Sequence, residues 1–181
     1  MRFEYFVKAY QLVLDEPAEP WLRKQFVLEA GCAMGHVMRE LVEHGVECEG
    51  YEPSQYANEN ALEDMKPRIW QGDHNSVLPE IGDGDYDIVY ANSLQYSHDE
   101  DEIAKWVREI SRICTHSLFF CAVTTQGMYR AVSGPDIWKM QIIKPQQWWT
   151  NIFKENGFSD VKWINNVWAI SLKHGLGRPN V

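Results

Sequence analysis

Residues 27–53, VLEAGCAMGHVMRELVEHGVECEGYEP, constrain the fold more than any other stretch. An apolar run (FVLEA, 26–30) passes through a small-residue turn into an amphipathic segment (35–45). A second apolar run (47–52) then ends on an acid. The order reads as a buried strand, a helix with Gly45 near its C-cap, and a second strand.

The pattern repeats. A helix over 54–65 opens on Ser54, a strand covers 68–73, and a fourth strand covers 86–93 after the turn-rich GDGD. Residues 99–114 form a helix with an acidic first turn. Its apolar stripe is Ile103, Trp106, Val107, Ile110 and Ile113. The run 117–125 is a fifth strand, apolar on both faces. Strand and helix in alternation mean a parallel sheet with helices on both sides. After 126–144 the pattern changes to a helix over 145–157 and two short apolar runs, VKWI and VWAISLK. Asn165 and Asn166 between them suit a tight hairpin through positive φ. The expected fold is α/β: a Rossmann-like, doubly wound, mostly parallel seven-stranded sheet with an antiparallel C-terminal edge hairpin. A helix over 3–14, broken by DEPAEP, precedes it, so 1–21 reads as an N-terminal helical cap. No linker or repeat interrupts residues 1–181, which read as one domain with a loose tail at 174–181.

Composition narrows the function. The formal net charge is -9, and no basic cluster stands out, which weighs against a nucleic-acid partner. No apolar run is long enough for a membrane span, and the N-terminal stretch lacks a signal-peptide pattern. Cys32, Cys48, Cys114 and Cys121 form no C-x-x-C, so no metal site is expected. Reduced thiols in a cytoplasmic protein are the expectation, with disulfides as the alternative. The chain holds 8 Trp, 8 Tyr and 7 Phe, a surplus that suits a pocket for a flat or cationic ligand.

The loop after the first strand sits where open parallel sheets bind ligands, at the carboxyl ends of the strands. A dinucleotide needs G-x-G-x-x-G, and Gly31, Ala33 and His36 satisfy one of those three positions. An acid ahead of G-x-G-x-G matches better, through Glu29, Gly31, Ala33 and Gly35. A carboxylate at Glu29 repels a pyrophosphate and suits an ammonium. A second carboxylate, Glu52, closes the second strand, where it can accept both hydroxyls of a ribose.

With these motifs the chain resembles the class I S-adenosylmethionine (SAM)-dependent methyltransferases over roughly residues 22–172. VLEAGCAMG is similar to their first motif, GYEPS to the second, QGD to the third and YDIVYANSLQY to the fourth. The resemblance implies SAM as cofactor. Its implied contacts are Glu29, Gly31, Cys32, Ala33 and Gly35 in the loop, and Glu52 and Pro53 at ribose and adenine. Gly72, Asp73 and His74 follow at the adenine, with Asp73 accepting from its amino group and His74 beside it through backbone. Asn92 and Ser93 lie at the methionyl end. Two positions depart from the family: Ala33 replaces a glycine, and Leu94-Gln95-Tyr96 stands where many members have Leu-Glu-His.

Methyl transfer is an in-line displacement that needs alignment and exclusion of water more than a base. His98 is the candidate base, beside Tyr96. The alternative is that His98 merely opens the helix at Asp99. His36 reads as a structural residue at a helix start. Residues 126–144 read either as an acceptor-side lid or as a helix capping the sheet. Tyr129, Arg130 and Trp138 are its candidate substrate contacts, with Arg130 facing an acidic group. Tyr5 and Tyr10 could fold over the cofactor or pack in the core. The first expectation is transfer of methyl to a small-molecule acceptor. A SAM-binding regulatory or partner protein is the alternative, and a nicotinamide oxidoreductase is third.

Overall fold

The computed structural model describes residues 1–97, 99–122, 124 and 142–173. Two helices come first, α1 (Phe3–Gln11) and α2 (Ala18–Leu22). Then follow β1 (Phe26–Ala30), α3 (His36–Glu43), β2 (Glu47–Glu52), α4 (Gln55–Glu59), β3 (Ile69–Gln71) and α5 (His74–Val77). The rest is β4 (Tyr86–Ala91), α6 (Glu100–Ile113), β5 (Cys114–Cys121), α7 (Gln146–Glu155), β6 (Asp160–Trp163) and β7 (Trp168–Leu172).

The seven strands lie in the order β3-β2-β1-β4-β5-β7-β6. β1 to β5 run parallel, and β7 pairs antiparallel with both β5 and β6. Strand order reverses between β1 and β4, which opens a crevice beyond Ala30 and Ala91, partners in register. The expected seven-stranded architecture with its antiparallel edge is the one observed.

Alternation along the strands divides the core in two. Leu28, Val89, Leu118 and Phe120 face α6 and α7, whereas Val27, Ile88, Tyr90 and Phe119 face α1 and α3. The α6 stripe of Ile103, Trp106, Val107, Ile110 and Ile113 is fully in the first cluster. Each such side chain contributes about 1.5–3 kcal/mol on burial.

Local differences from the sequence reading have local causes. The first helix stops at Gln11, and DEPAEP does more than break it. Pro17 is the N-cap of α2 and Pro20 sits in its first turn, where no intrahelical N–H is needed. The helix at 55 also ends early, at Glu59. Leu62 donates to the Met34 carbonyl at 3.0 Å, which ties this segment to the loop after β1. α5 was not expected; Asp73 and Ser76 form a capping box that starts it. β5 starts earlier than expected, directly after α6, and ends at Cys121. The hairpin between β6 and β7 is present, but neither Asn165 nor Asn166 has positive φ. Instead the Asn165 Oδ1 accepts from the Val167 and Trp168 amides at 2.8 and 2.9 Å, an Asx turn. All four cysteines are free and buried. No helix among the described residues is long and apolar enough to cross a membrane.

Candidate active site

β1 delivers the chain into the crevice at Gly31. Three alternate residues take left-handed backbone: Gly31 (φ 77°), Ala33 (φ 49°) and Gly35 (φ 83°). The recurrence of small residues at every second position is thus a backbone requirement. Ala33 is the only non-glycine with positive φ among the described residues. An L-residue there costs roughly 1–2 kcal/mol. Ala33→Gly is therefore expected to raise the unfolding free energy by about 0.5–1 kcal/mol, after the entropy of the freer chain is subtracted. Ala33→Val is expected to lower it. Urea denaturation of the two variants checks both signs.

The loop fastens itself with its own amides. Gly31 and Cys32 donate to the Tyr51 carbonyl at 2.9 and 3.0 Å. Ala33 donates to Glu52 Oε2 at 2.9 Å, and Gly35 to the Cys32 carbonyl at 2.9 Å. These amides are consumed inside the protein, so they do not form the phosphate cradle of a dinucleotide site. A Cβ on Gly50 would lie 2.8 Å from that of Cys32, so the loop rests directly on β2. Burial pushes the Cys32 thiol up, with Glu29 and Glu52 adding to the effect, so it stays protonated.

The two predicted carboxylates have different settings. Glu52 is held at both oxygens, Oε2 by Ala33 N and Oε1 by Ser54 N at 2.8 Å. Each oxygen keeps a second lone pair for a further donor. Glu29 lies on β1 between Gly50 and Tyr90 and is 5% exposed. Its Oε2 is buried with no hydrogen-bond partner. Burial pushes its carboxyl up to about 8, against an ordinary value of 4.5. A buried acceptor without a donor is costly, and a cationic donor arriving from the crevice would relieve it.

Behind the loop runs a chain of buried polar groups. The Ser93 hydroxyl donates to the Ala30 carbonyl at 2.9 Å. It must then accept from His74 Nε2, 3.2 Å away. That leaves His74 Nδ1 to accept the Tyr51 hydroxyl at 2.5 Å. The imidazole also packs on Trp106 at 4.3 Å between centroids. Burial lowers its pKa to about 4, so it is neutral at physiological pH. The ends of β1, β2 and β4 are tied together through this one ring. Its neighbour Asp73 uses Oδ1 to cap α5, accepting from Ser76 N at 2.9 Å.

A cavity of about 530 Å³ opens above the loop. Of the predicted residues it collects Glu29, Gly31, Cys32, Ala33 and Asn92. Gly35 sits behind, where a Cβ would lie 2.9 Å from that of Met65. Ser93 abuts Gly31, and Glu52 reaches the loop through Ala33. Pro53, Gly72 and Asp73 continue the crevice past β2 and β3 but do not line the cavity. Tyr96 lies on a single 3-10 turn after β4 and is exposed. His98, Tyr129, Arg130 and Trp138 lie outside the described residues, as does most of the expected lid and the tail at 174–181.

Sequence reasoning overlooked part of the lining. Tyr90 and Trp168 face the cavity, and His36 lines it rather than serving only as a helix start. Tyr5 lines it too, whereas Tyr10 is buried and bonded to Ser117 at 2.7 Å. The period of 2 in β4 puts Tyr90 on the α1 side, a usable signal. Nothing local reveals that Trp168, at the start of β7, reaches the same place.

Comparison with known proteins agrees with this geometry. A family model described as a methyltransferase domain matches residues 27–117. No curated protein matches the chain in sequence. Among solved structures, a chain from the Haloferax volcanii complex that contains the Trm112 methyltransferase activator superposes with a TM-score of 0.66 at 14% identity, covering 83% of each chain. A SAM-dependent methyltransferase from Archaeoglobus fulgidus gives 0.65 at 16% identity, over 79% of this chain and 65% of its own. Magnesium protoporphyrin IX methyltransferase from Synechocystis, with S-adenosylhomocysteine bound, gives 0.63 at 16% identity, over 86% of this chain and 80% of its own. The chain belongs to the methyltransferase domain family, with the fold of the class I SAM-dependent enzymes.

Proposed function

We propose that this protein transfers a methyl group from SAM to a small-molecule acceptor. One observation carries the reading: the buried, unpartnered Oε2 of Glu29 beside a cavity floored by Gly31 and Ala33. When bound, SAM supplies a methyl group activated by its sulfonium charge. The chain's part is to bind, align and keep water out. Glu29 takes the methionyl ammonium. Glu52 takes the ribose hydroxyls with its remaining lone pairs, and Asp73 takes the adenine amino group. Asn92 and Ser93 bound the methionyl end. His74 acts on the loop from behind, through Ser93 and Tyr51. The cavity volume of about 530 Å³ is in the range of roughly 300–1,000 Å³ that suits a small ligand such as the cofactor. The net charge of -9 argues against a polyanionic acceptor.

Titration calorimetry with SAM and S-adenosylhomocysteine tests the reading. Glu52→Ala is expected to weaken SAM by about 1–3 kcal/mol, the range for a hydrogen-bonded charged acceptor. Unchanged affinity removes Glu52 from the ribose. No binding in the wild type rejects the cofactor, and binding without turnover on any acceptor leaves a SAM-binding partner protein. Turnover of His98→Ala at the wild-type rate, with SAM affinity intact, ends the role of His98 as base.

A further inference from the structure

We propose that the acceptor is a small amine, held against an aromatic wall made by Tyr5, Tyr90 and Trp168. This rests on the SAM reading of the same cavity and adds the chemical class of the acceptor. The three rings come from α1, β4 and β7 and all line the cavity. Tyr90 and Trp168 stack at 6.1 Å with 19° between planes, and Tyr5 meets Trp168 edge-on at 5.9 Å. Phe119 backs all three, at 6.2, 5.7 and 5.5 Å from Tyr5, Tyr90 and Trp168. The wall is therefore rigid; Tyr90, only 2% exposed, supports it from behind, and the half-buried rings of Tyr5 and Trp168 are the ones whose negative quadrupole lobe can attract a cation within about 6 Å.

The charges around it are of both signs. Glu29 is the register partner of Tyr90, so a buried carboxylate lies under the wall. The basic groups among the described lining are the exposed Arg2 and His36 and the Met1 amino group, which acts on Glu29. Because Glu29 is taken by the methionyl ammonium in the cofactor-bound protein, selection of a positive acceptor falls to the rings of the wall.

One side chain sets two of the three rings. Asn165 Oδ1 accepts from Val167 N and Trp168 N, which fixes where β7 begins. Its Nδ2 must therefore face Tyr5, donating to the hydroxyl at 3.1 Å. The Tyr5 oxygen is thereby an acceptor, and its own proton is left for a ligand. Asn165 is a positioning residue. In the reaction the bound ammonium first gives a proton to water, and the free nitrogen then uses its lone pair to form the C–N bond while the C–S bonding pair returns to sulfur. The positive charge passes to nitrogen, which then loses a proton to water. The wall stabilises that charge on the acceptor side.

The test uses the protein saturated with S-adenosylhomocysteine, whose sulfur is neutral. Choline and its uncharged isostere 3,3-dimethylbutan-1-ol are titrated into that complex. Choline is expected to bind about tenfold more tightly or better. Trp168→Leu should abolish the preference, and Tyr5→Phe, which keeps the ring, should retain it. If Trp168→Leu does not fold, Tyr5→Leu makes the same comparison. Equal affinity, failure of both probes to bind, or a preference that survives loss of the rings overturns the amine assignment while leaving SAM binding intact. Failure of S-adenosylhomocysteine itself to bind rejects the cofactor reading, and the proposal with it.

Discussion

Glu29→Gln is expected to lower SAM affinity by about 10²–10³-fold, because the incoming ammonium then lies buried against a neutral amide. The same change should make the ligand-free protein more stable above pH 8, since it removes a carboxylate whose ionisation burial opposes. Glu29 titrates near 8 in the folded chain against an ordinary 4.5. Binding of an ammonium favours the ionised form, so SAM binding should release a proton around neutral pH. The measured enthalpy would then vary with the ionisation heat of the buffer in the wild type and not in Glu29→Gln. Equal SAM affinity in the two proteins would falsify the pairing.

The second large effect is in stability against pH. Glu29 has its folded pKa raised, so its contribution is complete below 4.5 and disappears as pH climbs through about 8. The full swing is roughly 5 kcal/mol. His74 has its folded pKa depressed from 6.5 to about 4, so its contribution is complete above 6.5 and is lost as pH falls through 4. That swing is roughly 3 kcal/mol. Between about 4.5 and 6.5 the two slopes oppose each other, and the wild type should show a plateau. His74→Gln should expose the carboxylate alone, with stability falling steadily from pH 4.5 to 8. Glu29→Gln should expose the imidazole alone, with stability rising from pH 4 to 6.5 and then level. Denaturant midpoints across pH for the three proteins decide the matter; parallel profiles would show that neither group titrates as its burial requires.

The order of strands and helices was legible in the chain because it depends on local periodicity. The α6 stripe needs only a period of 3.6 to be recognised, and the apolar run of β5, buried on both faces, marks a central strand. The loop was legible for a similar reason, since left-handed backbone at Gly31, Ala33 and Gly35 leaves its mark as small residues. Glu29 and Glu52 could be located, but their difference could not. Whether a carboxylate is held by two amides or left with a bare oxygen depends on what folds against it. The ring of His74 likewise acquires its role only once β1, β2 and β4 end side by side.

The aromatic wall is the clearest product of tertiary structure. Tyr5 and Asn165 lie 160 residues apart in the chain and meet through one hydrogen bond. No window of sequence contains both. Periodicity tells each segment which side is apolar, so by itself the sequence determined the succession of strands and helices and the loop. Only the closing of α1 and the β6–β7 turn over the crevice decided which rings face the ligand, because that choice depends on packing between elements distant in the chain.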